Sequence, residues 1–328
     1  MAQLRRDPIT RMWVVVTTDH PRGPSDYLPF KPPYQFPSGE GACPFCPGNE
    51  ALTPPETFCF RQEMGWSVRV VPNKFPFFRI EGEFDRRPEG MYDMMEAIGA
   101  HEIIIEAPEH HRTLSTMEPE QIGRILIAFK ERMVDLERDR RFVQFLILKN
   151  YPGMFNRHPH SHLIAMPVIP RRIDEEIAGV MDYYQRKERC ILCDILKEEM
   201  AARKRVVLET GHFLVFAPFA SRFPFETWIL PKAHGSDFHR ISEPEREDLS
   251  RIIPALFSKF ERLLSDPPFS LALHTSPVQE RFHRPEYHWH IETRLRIGLR
   301  EGFEWGTGFF VNPTPPEDAA TYLREVCP

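Results

Sequence analysis

Three histidines stand at alternate positions in Asn156-Arg157-His158-Pro159-His160-Ser161-His162. In an extended segment, side chains two apart share a face, so this spacing predicts three imidazoles aimed at a common point. Imidazole has two uses near neutral pH: it ligates zinc through a ring nitrogen, and it serves as nucleophile or general base. The apolar run from Leu163 to Ile169 predicts a buried strand behind the histidines rather than a solvated loop.

The cysteines point to metal. Four of them form two Cys-x-x-Cys pairs, Cys43 with Cys46 and Cys190 with Cys193, a spacing that suits metal ligands or redox centres. Pro44, Pro47 and Gly48 make the first pair a tight loop instead of the strand-to-helix junction a thioredoxin-like centre needs. Cys59 and Cys327 follow no pattern and are read as packing residues. With downstream histidines, the first half offers Cys43, Cys46, His110 and His158, and the second offers Cys190, Cys193, His234 and His288. Two sulfurs and two nitrogens are the shell tetrahedral zinc prefers. His111 is as good a ligand as His110 by sequence, and Glu176, His274 and His290 compete for the second site. Four protein ligands leave no position for water, which makes closed sites of this kind structural. With His158 on metal, His160 becomes the reactive group.

The positioning elements follow from periodicity. Ile122, Ile125, Leu126, Phe129, Met133 and Leu136 predict a helix entered at Ser115 or Thr116, and Leu249, Ile252, Ile253, Leu256, Phe257, Phe260 and Leu263 predict its counterpart. Strands are expected at 12–16, 68–72, 101–106, 142–148, 206–208, 213–216, 227–230, 270–274 and 287–292, with a charged helix after Pro170 running toward Cys190 and a last helix at 316–326. The Pro- and Gly-rich stretch 21–55 is expected to be irregular and pinned by Cys43 and Cys46. The order Cys-x-x-Cys, strands, Pro-x-x-His, long helix, strand, loop, His-x-His occurs twice, the mark of a duplicated unit. The expectation is an α+β fold of antiparallel sheets, each with a long helix, divided into residues 1–170 and 171–328.

Bulk composition narrows the partners. At 328 residues, 41% hydrophobic and 27% charged, the chain has the balance of a soluble globular protein. A net charge of -5 leaves no broad basic surface for nucleic acid. The N-terminus lacks the apolar core of a signal peptide and no apolar run approaches membrane-spanning length, so a cytoplasmic protein with no membrane partner is expected.

With these residues in view, the chain resembles the galactose-1-phosphate uridylyltransferase family of the histidine-triad superfamily. The likeness rests on Arg6-Asp7-Pro8-Ile9-Thr10, Cys43-Pro44-Phe45-Cys46-Pro47-Gly48, His158-Pro159-His160, Pro224-Phe225-Glu226-Thr227-Trp228 with Leu230-Pro231-Lys232-Ala233-His234, and Gly302-Phe303-Glu304-Trp305-Gly306. It implies a duplicated histidine-triad-like fold, often a homodimer. It also implies carbohydrate (galactose) metabolism through transfer of a uridylyl group between UDP-glucose and a hexose 1-phosphate. In such an enzyme His160 attacks the α-phosphorus, its second ring nitrogen held by a backbone carbonyl. By the same resemblance His162 and Asn150 contact the α-phosphate, Asn73 lies near the nucleoside, Arg22 and Lys149 bind phosphate, Phe303 and Glu304 reach the sugar, and the second metal is zinc or iron.

The chain also departs from the family. Its transferases carry Gln two residues after the nucleophile, whereas this chain has His162, as triad hydrolases do. The loop Lys149 to Arg157 is shortened, and near the N-terminus only Arg22 stands where arginines for the sugar phosphate are expected. Two other readings therefore accompany the first: an ADP-sugar phosphorylase or dinucleoside polyphosphate hydrolase or phosphorylase, and a zinc-stabilised nucleotide-binding protein without turnover.

Overall fold

A computed structural model describes residues 2–29, 43–63, 65–153, 157–298 and 302–327. Met154, Phe155 and Asn156 of the loop before the histidine strand, and residues 30–42 of the irregular stretch, lie outside the described residues. The first half runs β1 (Gln3–Arg6), β2 (Trp13–Val16), β3 (Phe58–Gln62), β4 (Gly65–Pro72), the hairpin β5 (Arg87–Glu89) and β6 (Tyr92–Met94), β7 (Ala100–Ile105), α1 (Pro119–Leu136), β8 (Gln144–Tyr151) and β9 (His160–Met166). The second runs α2 (Arg171–Lys187), α3 (Ile191–Ala202), β10 (Val206–Glu209), β11 (Phe213–Phe216), β12 (Thr227–Pro231), α4 (Glu243–Leu264), β13 (Phe269–His274), β14 (His290–Leu295), α5 (Gly302–Thr307), β15 (Phe310–Asn312) and α6 (Pro316–Glu325).

Ten strands form one sheet in the order β10-β11-β12-β14-β13-β8-β9-β7-β4-β3, every neighbouring pair antiparallel. Outward from the β8–β13 seam, each half lays down its strands in the same order. The duplication expected from sequence is thus visible, but as one continuous sheet instead of two separate ones. Register carries across the seam: His162 pairs with Leu148, Leu148 with Ala272, and Ala272 with Glu292. His162 and Glu292 therefore occupy equivalent positions on one face.

Alternation divides the two faces. In β11, Phe213 and Val215 join the large core beneath α1 and α4, while Leu214 and Phe216 join the core beneath α2 and α3. In β9, Leu163 and Ala165 face the α1–α4 core, which leaves His160 and His162 on the opposite face. There, among the described residues, no helix covers the first half; a small cluster of Trp66, Val71, Ile103 and Ile105, with Phe45 from the Cys43–Cys46 loop, lies beside the histidines instead. None of the described helices is long and apolar enough to cross a membrane.

Several boundaries differ from expectation. Helix α1 starts at Pro119 with Glu118 as its N-cap, later than Ser115 or Thr116, because the hydroxyls of Thr113, Ser115 and Thr116 bond within their own turn and Pro119 suits the first helical position. The helix after Pro170 ends at Lys187, and Cys190 caps a separate helix, α3. Strands β1 and β15 flank β2 in a separate three-stranded sheet that ties the two ends of the chain together. There Arg5 reaches Glu317 of α6 at 2.9 Å.

On the core side of the histidine strand lies a buried polar anchor. Lys149 Nζ donates to Glu106 Oε2 at 2.5 Å and to the His160 carbonyl at 3.2 Å, and Ser161 Oγ donates to Glu106 Oε1 at 2.5 Å. Lys149, Glu106 and Ser161 are 3%, 1% and 1% exposed, so each depends on the others for partners. The anchor clamps β9 to β8 and to the end of β7. Replacing Lys149 with Met leaves an unpaired buried carboxylate and is expected to cost about 3 kcal/mol in urea unfolding, much of it recovered in the Lys149→Met, Glu106→Leu double variant. Equal loss in the single and double variants would show that the ion pair is not the anchor.

Candidate active site and metal centres

The Cys43–Cys46 loop, the turn after β7 and the start of β9 converge. Cys43 Sγ and Cys46 Sγ lie 3.8 and 3.6 Å from His158 Nδ1, and Cys46 Sγ lies 3.4 Å from His110 Nδ1. Ligands at zinc bond lengths of about 2.0–2.3 Å in a tetrahedron stand about 3.3–3.8 Å apart, so this set fits one metal ion. His158 Nε2 donates to the Ala107 carbonyl at 2.7 Å, which leaves the Nδ1 lone pair for the metal. His110 joins the donor set; His111 packs edge-on against it with ring centroids 4.8 Å apart and stays outside. Burial and Cys43 push the Cys46 thiol up to about 11, a mutual repulsion that a divalent cation would relieve.

The second half repeats the arrangement. Cys190 Sγ and Cys193 Sγ lie 3.8 and 3.6 Å from His288 Nδ1, and Cys193 Sγ lies 3.5 Å from His234 Nδ1, whose Nε2 donates to the Pro285 carbonyl at 2.8 Å. The Cys190 thiol is pulled well down, first by the hydrogen bond from Cys193 and then by His234 and His288, while Cys193 is pushed up in return.

Glu176, His274 and His290, the sequence-level rivals for that site, form a third group with Glu292. His274 Nδ1 lies 2.9 Å from Glu176 Oε2, which also accepts from Tyr287 at 2.8 Å, and Glu292 is held by Arg172 at 2.7 Å and Arg222 at 2.9 Å. This group occupies the second half's counterpart of the histidine strand. His290 Nδ1 donates to the His288 carbonyl at 3.0 Å just as His160 Nδ1 donates to the His158 carbonyl at 2.7 Å. The two rings differ in access: His290 is 1% exposed, lying in the layer formed by α2 and Trp228, whereas His160 is partly open.

Around His160 the site is built from backbone constraints. With Nδ1–H spent on the carbonyl, the lone pair of the neutral ring is on Nε2. Phe45 packs edge-on against the ring with centroids 5.4 Å apart, and the His162 ring stands 5.2 Å away. Burial pulls His160 down to about 4 and His162 to about 3, so both rings are neutral at pH 7. Asn150 is on the same face, its Oδ1 accepting from Ser270 at 2.7 Å, and Asn73 reaches the cluster through His101, Nδ2 to Nε2 at 3.2 Å. A neutral imidazole with a fixed tautomer beside a second imidazole can act as a nucleophile toward an electrophilic phosphorus.

Other expected residues lie elsewhere. Lys149 stands on the opposite face, bound to Glu106. Arg22 is exposed near the C-terminal tail, its amide donating to Pro313 O at 2.8 Å. Phe303 and Glu304 sit on α5, Phe303 half exposed and Glu304 accepting from the Val311 amide at 3.2 Å. Sequence reasoning missed His101, which touches His162 at 3.0 Å; its position two residues before Ile103, on the alternating face of β7, was the available signal.

Comparison with known proteins places this geometry. The family model for the galactose-1-phosphate uridyl transferase N-terminal domain matches residues 2–170, and that for the C-terminal domain matches residues 176–299. An ADP-glucose phosphorylase of Arabidopsis thaliana is 33% identical over 99% of this chain and 93% of its own length. A galactose-1-phosphate uridylyltransferase of Thermotoga maritima is 28% identical over 99% of this chain and 98% of its own. The crystal structure of an Arabidopsis thaliana ADP-glucose phosphorylase with bound ADP-glucose superposes with a TM-score of 0.82 at 31% identity, covering 100% of both chains. The chain belongs to the galactose-1-phosphate uridyl transferase family, a family of nucleotidyltransferases.

Proposed function

We propose that the chain transfers a nucleotidyl group from a nucleotide sugar, UDP-glucose, to a hexose 1-phosphate such as galactose 1-phosphate, through a covalent nucleotidyl-His160 intermediate. The observation that carries this reading is the His160 ring: Nδ1 donates to the His158 carbonyl at 2.7 Å, which leaves the lone pair of this partly open ring on Nε2. In the first step Nε2 attacks the α-phosphorus, a P–N bond forms, and the P–O bond to the sugar 1-phosphate breaks. In the second step a phosphate oxygen of the acceptor attacks the same phosphorus and the P–N bond breaks. His162 and Asn150 take the α-phosphate oxygens and Asn73 the nucleoside side; Arg22, Phe303 and Glu304 contribute to phosphate and sugar recognition, and Lys149, paired with Glu106, supports the strand from behind.

A second reading, phosphorolysis of an ADP-sugar, has specific support in the 33% identity to an ADP-glucose phosphorylase. The two differ in base and acceptor, not in the first step. Residues 1–170 would form the half with nucleophile and first metal, and residues 171–328 the half with the second. Both Cys2His2 sets would hold zinc, with iron an option at the second, and each ion would supply structural charge neutralisation. A cytoplasmic homodimer suits the exposed outer face of the β1–β2–β15 sheet, where Leu4, Trp13 and Val311 are 60%, 39% and 38% exposed.

Incubation with UDP-glucose, UDP-galactose or ADP-glucose without acceptor is expected to leave a uridylyl or adenylyl mass increment on the native chain and none on His160→Ala. Discharge by hexose 1-phosphate establishes the transferase and discharge by inorganic phosphate the phosphorylase; a folded, metal-loaded protein that takes no adduct from any donor would overturn both. Elemental analysis is expected to find one metal ion per Cys2His2 set, the first lost in Cys43→Ser, Cys46→Ser and the second in Cys190→Ser, Cys193→Ser. Unchanged metal content in either double variant would remove that site.

A further inference from the structure

A chain of hydrogen bonds reaches the active face from a backbone amide, and it fixes which nitrogen of each ring carries a proton. The Phe77 amide lies 3.2 Å from His101 Nδ1. A backbone N–H can only donate, so His101 Nδ1 is the accepting, unprotonated nitrogen. Burial holds His101 down to about 4, so the neutral ring carries its one proton on Nε2. That Nε2 lies 3.0 Å from His162 Nδ1, and with the donor role settled on His101, His162 Nδ1 must accept. The proton of neutral His162 is then on Nε2.

The surroundings hold His101 in this orientation. It is 4% exposed, and the Phe77 ring lies over it at 4.9 Å and 31°. Asn73 Nδ2 is 3.4 Å from Nδ1 and 3.2 Å from Nε2. An atom that close to both nitrogens cannot lie in the ring plane without striking the carbon between them. It sits over the ring face and competes for neither nitrogen.

Resting on the reading of His160 as nucleophile, we infer that His101 is a positioning residue for nucleotidyl transfer, holding His162 as an Nε2–H donor toward the phosphate oxygen that gains charge when His160 attacks. The two neighbouring rings, with centroids 5.2 Å apart, are then complementary: His160 offers a lone pair to phosphorus and His162 offers a proton to its oxygen. Without the Phe77–His101 chain, His162 is free to turn or to carry its proton on Nδ1, and an Nε2 lone pair would then face an anionic oxygen. A glutamine at position 162 would not need this support, because its amide donor has no tautomer to lose.

The test combines ring-nitrogen NMR with a mutant cycle. In protein labelled with 15N-histidine, His162 is expected to show a protonated Nε2 and an unprotonated Nδ1, and His101→Phe is expected to shift both signals toward averaged values. His101→Gln, which keeps a donor near the Nε2 position, is expected to restore them. The single-turnover rate of adduct formation is expected to fall about tenfold in His101→Phe, below the cost of deleting an oriented donor outright, and to recover in His101→Gln. In the His162→Gln background the same His101→Phe change is expected to cost less than about twofold. Equal cost in both backgrounds, or a native His162 protonated on Nδ1, would overturn the assignment. The NMR result stands on the native protein alone, so it decides the point even where His101→Phe does not fold. Failure to form any adduct with the native NMR pattern present would overturn the transfer reading and leave the hydrogen-bond chain intact.

Discussion

A β-strand presents its side chains alternately to two faces, and along β9 that alternation separates stability from chemistry. Leu163 and Ala165 sink into the α1–α4 core and Ser161 into the Glu106–Lys149 anchor, while His160 and His162 face the other way. One residue of slip would exchange the two sets. The metal donor set at His158 and the anchor at Ser161 bracket His160, so register is fixed on both sides of it. Backbone carbonyls and amides then set the proton positions: the His158 carbonyl for His160, the Ala107 carbonyl for His158, and the Phe77 amide, through His101, for His162.

The two halves show what one scaffold does with and without access. His160 and His290 sit at equivalent positions with the same ring-to-carbonyl bond, and His162 and Glu292 pair through the same register. In the second half, α2 and α3 cover the face, and Arg172 and Arg222 neutralise Glu292 in a closed network. Burial of that network is compatible with stability because each charge has a partner. In the first half the corresponding face carries neutral imidazoles and the Phe45 loop instead. Open access is therefore a property of which segments pack on the sheet, not of the strand order.

Much of this was legible in the sequence because it depends on local spacing. The period of two around His160, the paired Cys-x-x-Cys units and the repeated order of features point to the α+β duplication and to a Cys2His2 set in each half, with His111 and the acidic and histidine rivals of the second half still open. What could not be read depends on contacts distant in the chain. Glu176, His274 and His290 look like spare ligands for Cys190 and Cys193 until the sheet register places them with Glu292. Lys149 is expected at phosphate until Glu106, 43 residues earlier, is found against it. His101 is an ordinary strand residue until β7 is laid beside β9. Strands β1 and β15 are short, and β15 pairs with β2 from the opposite end of the chain, so no local pattern marks that contact.

The central claim is that phosphorus is transferred twice, once to His160 and once to the acceptor. Each in-line displacement inverts configuration at phosphorus, so a donor made chiral at the α-phosphorus by a sulfur substitution reports the number of displacements directly. The account predicts that the product retains the donor's configuration. Inversion would mean a single direct transfer and would contradict a covalent His160 intermediate.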